Sequence, residues 1–296
     1  MDQAERLRNI IKKQELQAEE KERIAKVITV TSGKGGVGKT SLSVNLAIQL
    51  SKMGKRVVIF DADFGLANIE IMLGLRPKYN LADLMYRGKS IEDIITYGPE
   101  NIGFISGGSG INELANLSRE QVVSLTNRLA ELDRMADVII VDTGAGISDT
   151  VLEFVAASEE VLLVATPEPT SITDAYALLK TLNRKNSYRP EKTVVKMIAN
   201  QVRAENDATE LFEKLGVVVD KFLDIKVEFV GSVPYDRTMQ RAIMHQAPVS
   251  ISNPDSEVAK AIRRIAYTID DQMLVEEERV GIVKLFSSVI RMRFTR

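Results

Sequence analysis

Thr31-Ser32-Gly33-Lys34-Gly35-Gly36-Val37-Gly38-Lys39-Thr40 is the stretch whose reading decides the fold. It fits the phosphate-binding pattern G-x-x-x-x-G-K-[ST] from Gly33 to Thr40 and carries an additional lysine, Lys34, near its start. The run before it, Val27-Ile28-Thr29-Val30, is apolar and β-branched, as a buried parallel strand requires, and residues 42–50 follow with helical spacing. Glycines at 33, 35, 36 and 38 let backbone N–H groups approach an anion, and the next helix presents its positive dipole end. Gly33, Lys34, Gly35, Gly36, Val37, Gly38, Lys39, Thr40 and Ser41 therefore read as a phosphate cradle. Lys39 would reach the β- and γ-phosphates of a nucleotide, and the Thr40 hydroxyl would hold Mg²⁺.

Outward from this loop, apolar strands alternate with helical patterns. Strands are expected near 26–32, 56–61, 101–106, 137–142, 160–166, 192–200 and 225–233. The alternation predicts an α/β fold: a mainly parallel, doubly wound sheet with helices on both faces. No repeat or low-complexity linker divides it, so one domain is expected from about 25 to 270, preceded by a tail (1–25) and followed by a connector and helix (271–296).

Composition narrows the function. With 296 residues and a net charge of −2, the chain has no generally basic surface, which makes DNA an unlikely partner. It has no cysteine and a single histidine, His245, excluding disulfides, thiolate-held clusters and multi-histidine metal sites. No apolar run approaches the roughly 18 to 20 residues that span a bilayer, and the charged start does not read as a signal peptide; a cytoplasmic protein is expected.

Four strand ends carry the candidate chemistry. Val57-Val58-Ile59-Phe60-Asp61-Ala62-Asp63 places two carboxylates where ligands bind in open α/β sheets, able to support a metal's water shell or orient an attacking water. Asp142 ends another apolar strand and is the type of residue that contacts Mg²⁺ through water, with Gly144 and Gly146 following. Asn200 and the turn Val233-Pro234-Tyr235-Asp236 end two later strands and read either as adenine contacts or as ordinary turns.

The two chain ends differ from the body. Residues 1 to about 25 are polar and mixed in charge, and read as a tail that orders on a partner or as a solvated leader. After the acidic Glu276-Glu277-Glu278, residues 280–294 place Ile282, Val283, Leu285, Phe286, Val289, Ile290, Met292 and Phe294 on one helical face. Lys284, Ser287, Ser288 and Arg291 fall on the other. Such a stripe suits an anionic membrane surface; the alternative is a last helix docked on the core.

Lys34-Gly35-Gly36-Val37-Gly38-Lys39-Thr40, together with Asp61-x-Asp63-x-Gly65-Leu66-x-Asn68 and Asp142-x-x-x-Gly146, resembles the deviant Walker A family of MinD and ParA ATPases over about residues 25 to 270. The resemblance implies ATP/ADP with Mg²⁺, slow hydrolysis, and a homodimer closed by ATP in which Lys34 crosses to the partner's phosphates. It further implies that Asp63 positions the water with support from Asn45, that Thr40, Asp61 and Asp142 serve the metal region, and that Asn200, Pro234 and Asp236 frame adenine. The leader residues Asp2, Gln3, Ala4, Leu7 and Arg8 are similar to the activating motif of the flagellar-number ATPases called FlhG, YlxH or FleN. That group implies a signal-recognition-type GTPase (FlhF) and flagellar C-ring components as partners, with peripheral attachment to the inner face of the cell membrane. Division-site MinD-like, ParA-like DNA-segregation and small-metabolite ligase readings are the alternatives.

Overall fold

The computed structural model describes residues 24–63, 68–108, 119–204, 206–273 and 281–294. Strands β1 (Lys26–Ser32), β2 (Val57–Ala62), β3 (Thr96–Tyr97), β4 (Gly103–Ser106), β5 (Val138–Ala145), β6 (Glu160–Ala165), β7 (Val194–Val202) and β8 (Val227–Pro234) form one sheet. Their order is β3-β4-β2-β5-β1-β6-β7-β8. All pairings are parallel except that of β3 with β4. The expected α/β architecture is therefore present. The two-residue antiparallel β3 has no counterpart in the sequence expectation, because Thr96-Tyr97 is too short to show a period.

Helices cover both faces, and strand alternation decides which side chain meets which layer. On one face, Ile28, Val30, Ile59, Val138, Ile140, Leu162 and Ile198 pack with α1 (Lys39–Lys52) and later helices. The intervening helices are α2 (Asn68–Leu73), α3 (Leu81–Tyr86), α4 (Ile91–Ile94), α5 (Arg119–Met135), α6 (Asp149–Ala157), α7 (Pro169–Asn183) and α8 (Asp207–Phe222). After β8 come α9 (Arg237–Met244), α10 (Val249–Ser252), α11 (Glu257–Met273) and α12 (Ile282–Phe294). The opposite face holds Val27, Val58, Phe60, Ile139 and Val141 under α5, α6 and α12, and Val161, Leu163, Val195 and Met197 nearer α7 and α8. Each central strand is covered on both sides, which is why these strands read as near-continuous apolar runs.

The last helix departs from the expectation of a lipid-facing stripe. Ile282, Leu285, Phe286, Val289 and Ile290 are fully buried, and Val283 is half-buried. Phe286 meets Phe60 and Phe154 edge-on, with centroids 5.1 and 5.6 Å apart. Asp133, on α5, accepts hydrogen bonds from the backbone N–H of Ile282 at 2.7 Å and of Val283 at 3.4 Å, capping the helix from outside its own chain segment. A Cβ on Gly281 would overlap that carboxylate, so the close approach requires glycine there. The residues assigned to the membrane thus complete the core in this conformation. An apolar stripe does not distinguish lipid from an uncovered sheet face, so it suits either cover. Lys284 remains exposed, and the Phe294 side chain lies outside the described side chains. Asp2, Gln3, Ala4, Leu7 and Arg8, and the connector 274–280, lie outside the described residues.

Candidate nucleotide site

The C-terminal tips of β1, β2, β5, β7 and β8 gather around one cavity of about 590 Å³. β1 lies between β5 and β6, where successive connections diverge to opposite sides, the usual place for a ligand in an open parallel sheet. The loop after β1 enters α1 through Gly38, which sits at φ 92° and supplies no side-chain cap. The first N–H groups of α1 are thereby left for an external anion. Gly33 serves a different need: a Cβ there would overlap the backbone of Asp174 in α7, so the loop can sit against that helix only as glycine.

Gly35, Gly36, Gly38, Lys39, Thr40 and Ser41 line the cavity, as do Asp63, Asn68, Asn200, Pro234 and Asp236. Gly33, Lys34 and Val37 do not; the Val37 side chain is buried in the core. Asp61 and Asp142 stand behind the lining, both buried. Thr40 Oγ1 donates to Asp142 Oδ2 at 2.6 Å, and Ser43 Oγ, one helical turn on, donates to Asp142 Oδ1 at 2.9 Å. Burial pushes the Asp142 carboxyl up to about 6, against the opposing effects of those hydroxyls and Lys39. Burial likewise raises Asp61 to about 8, although its Oδ1 accepts the Asp63 N–H at 3.0 Å. The Lys39 ammonium is pulled below the ordinary lysine range by burial, with Asp142 and Asp63 opposing.

Several carboxylates facing one lysine form an environment that favours an added cation. Among the described residues, no group of three or more His, Cys, Asp or Glu is arranged to hold a metal alone. That fits Mg²⁺, which keeps water and phosphate oxygens and asks the protein for few ligands, here the Thr40 hydroxyl backed by Asp142.

The Asn45 side chain is fully buried, with Nδ2 donating to Ser41 O at 2.8 Å and Oδ1 accepting the Ser250 N–H at 2.9 Å. Its Nδ2 thus bonds within α1, and its Oδ1 ties α1 to α10. Asn68 lines the cavity, and its Nδ2 donates to Asp63 Oδ2 at 3.1 Å. Its signal was present in the Asp-x-Asp-x-Gly-Leu-x-Asn run. Ser43 was also legible, three residues after Thr40 and hence on the same helix face.

The adenine candidates lie as follows. Asn200 donates Nδ2 to Val37 O at 2.7 Å, leaving its Oδ1 as an acceptor. Asp236 caps α9 by accepting the Thr238 N–H at 2.7 Å. Lys34 points away from its own cradle: its Nζ donates to Glu168 Oε2 at 2.6 Å and to Thr170 Oγ1 at 2.8 Å. The Lys34 ammonium in turn holds the Glu168 carboxyl below its ordinary range.

A family model for ParA, described as an NUBPL iron-transfer P-loop NTPase, matches residues 23–270. With no cysteine in the chain, thiolate-held iron is excluded, and the match speaks to the P-loop domain. The antiactivator FleN of Pseudomonas aeruginosa is 42% identical over 253 residues, covering 86% of this chain and 89% of that protein. The flagellum site-determining protein YlxH of Helicobacter pylori is 32% identical over 276 residues, covering 92% and 89%. Among solved structures, the cell-division ATPase MinD of Pyrococcus furiosus superposes with a TM-score of 0.66 at 23% identity, covering 84% of this chain and all of that one. Septum site-determining MinD of Pyrococcus horikoshii, complexed with Mg-ADP, gives a TM-score of 0.66 at 23% identity over 86% of this chain. A family match over residues 23–270, with relatives at 42% and 32% identity over most of both chains, is family membership: the chain belongs to the ParA/MinD family of P-loop ATPases.

Proposed function

We propose that the chain is an ATP-switched regulator of flagellar number and placement, acting at the inner face of a bacterial membrane. The observation that carries this reading is the 42% identity with an antiactivator named FleN over 86% of the chain, joined to a complete phosphate cradle. In the reaction, ATP and water give ADP and phosphate. Lys39 neutralises charge on the β- and γ-phosphates, and Asp63, held by Asn68, orients the attacking water. Thr40, backed by Asp142, would hold Mg²⁺, which would supply charge neutralisation at the phosphates.

ATP acts as a bridge between two copies. Lys34 leaves Glu168 and Thr170 and reaches the partner's phosphates, a charge supplied in trans. The pair it abandons is on the surface and screened by solvent, so it is worth little and the exchange is readily driven by phosphate contacts. Dimerisation is coupled to release of α12 from α5 and α6. Two released amphipathic helices on one dimer bind anionic lipid with avidity that one lacks. The leader, by its Asp2-Gln3-Ala4 start, addresses a signal-recognition-type GTPase, and the dimer surface addresses C-ring components.

Deleting the gene from its own host and counting flagella by electron microscopy tests the central reading. Altered number or position is expected; a wild-type pattern would remove the flagellar assignment. Lys34→Ala should abolish ATP-dependent dimerisation and turnover, and wild-type behaviour would refute the trans lysine. A peptide of residues 1–25 should raise the turnover of the partner GTPase, and no increase would detach the leader from that role.

A further inference from the structure

Gln201 has a left-handed backbone, φ 58°. Glu100, Asn101 and Gln246 share that feature among the described non-glycine residues, but Gln201 alone of these lines the nucleotide cavity. A conformation that a glutamine adopts at a cost is kept where its side chain has something to hold. Gln201 Nε2 donates to Gly36 O at 3.2 Å, and the preceding Asn200 Nδ2 donates to Val37 O at 2.7 Å. Two successive residues at the tip of β7 therefore grip two successive carbonyls at the crest of the phosphate loop.

A trans peptide points its C=O and its N–H in opposite directions. Holding Gly36 O and Val37 O from the β7 tip fixes these peptide planes and turns the N–H groups of Val37 and Gly38 away from Asn200 and Gln201. Gly36 and Gly38 flank these planes at φ 76° and 92°, so without an outside grip the planes are free to rotate. A carbonyl turned inward would then face phosphate oxygens and repel them. A Cβ on Gly38 would come within 2.5 Å of Asn200 Nδ2, which shows how tightly strand tip and loop are apposed.

We propose that Gln201 is a positioning residue for the polyphosphate: with Asn200 it pins the peptide planes of the phosphate loop so that their N–H groups stay turned toward the anion. The strand that carries the base site thereby also sets the loop's affinity for phosphate.

Gln201→Gly separates this role from a structural one. Glycine suits φ 58° better than glutamine, so the thermal midpoint of the ligand-free variant should not fall. Its affinity for Mg-ADP should nevertheless drop about three- to tenfold, the worth of one modest hydrogen bond. Binding of adenosine, which lacks phosphates, should stay within about twofold of wild type on the same principle. Gln201→Met, similar in length but without a donor, should show the same selective loss. Mg-ADP affinity unchanged in both variants, or equal weakening of adenosine and ADP, would overturn the proposal.

Discussion

At the scale of single residues, two asparagines divide structure from chemistry. Asn45 ties α1 to α10 through its buried Oδ1, whereas Asn68 sits at the cavity wall holding Asp63. Asn45→Ala leaves the buried Ser250 N–H without an acceptor, at a cost of about 1–3 kcal/mol. Urea denaturation should register that loss while turnover per folded molecule stays near wild type. Asn68→Ala should do the reverse, leaving stability nearly unchanged and lowering turnover roughly ten- to hundredfold through a misplaced Asp63. Equal effects of the two substitutions on turnover would refute this division. The phosphate loop and the aspartates at strand tips were legible because loop, strand and helix signals coincide within a few residues. The surroundings of Asn45 were not legible, because lying one turn into α1 does not specify which face of the helix it occupies; only the seat of Ser250 does.

At the scale of elements, α12 is held by a cap that another helix supplies. The Asp133 carboxylate receives the Ile282 and Val283 N–H groups, and Gly281 makes room for it. Asp133→Ala should remove about 1 kcal/mol from docking, up to about 2, as for other lost helix caps. Hydrogen exchange over 282–294 should then quicken, and the ADP-bound protein should pellet more with anionic vesicles. Exchange and pelleting both at wild-type levels would show that the cap does not restrain the helix. The sequence pattern correctly anticipated an amphipathic helix but not its place, because that depends on Phe60 and Phe154, far away in the chain. Full burial of one such side chain is worth about 1.5–3 kcal/mol whether the cover is protein or lipid, so the same stripe serves either environment.

At the scale of the whole molecule, buried acids set a pH dependence. Asp61 is raised to about 8, and Asp133 and Asp142 to about 6, each mainly by burial. In the unfolded chain these groups titrate near about 4. Between roughly pH 4 and 8 the native state therefore binds more protons than the unfolded state, and stability falls as pH rises through that window. Glu168 and Asp207 are held below their ordinary range and act in the opposite sense, but both are on the surface, where solvent weakens the effect. Ligand-free protein should melt at lower temperature at pH 8 than at pH 5, and Asp61→Asn should flatten the upper part of the slope. A wild-type midpoint that rises with pH, or a slope unaffected by Asp61→Asn, would contradict these assignments. The parallel sheet as a whole was legible because its strands are buried on both faces and its crossovers are regular; the short β3 edge was not.

The central claim is that ATP converts a closed single chain into a dimer that exposes its last helix. Its most direct test is light scattering coupled to vesicle pelleting, with the protein held in ADP or in a slowly hydrolysed ATP analogue, in the presence of Mg²⁺. The expected result is monomer that stays in solution with ADP and dimer that pellets with anionic vesicles with the analogue. The same mass and the same partitioning in both nucleotides would contradict it.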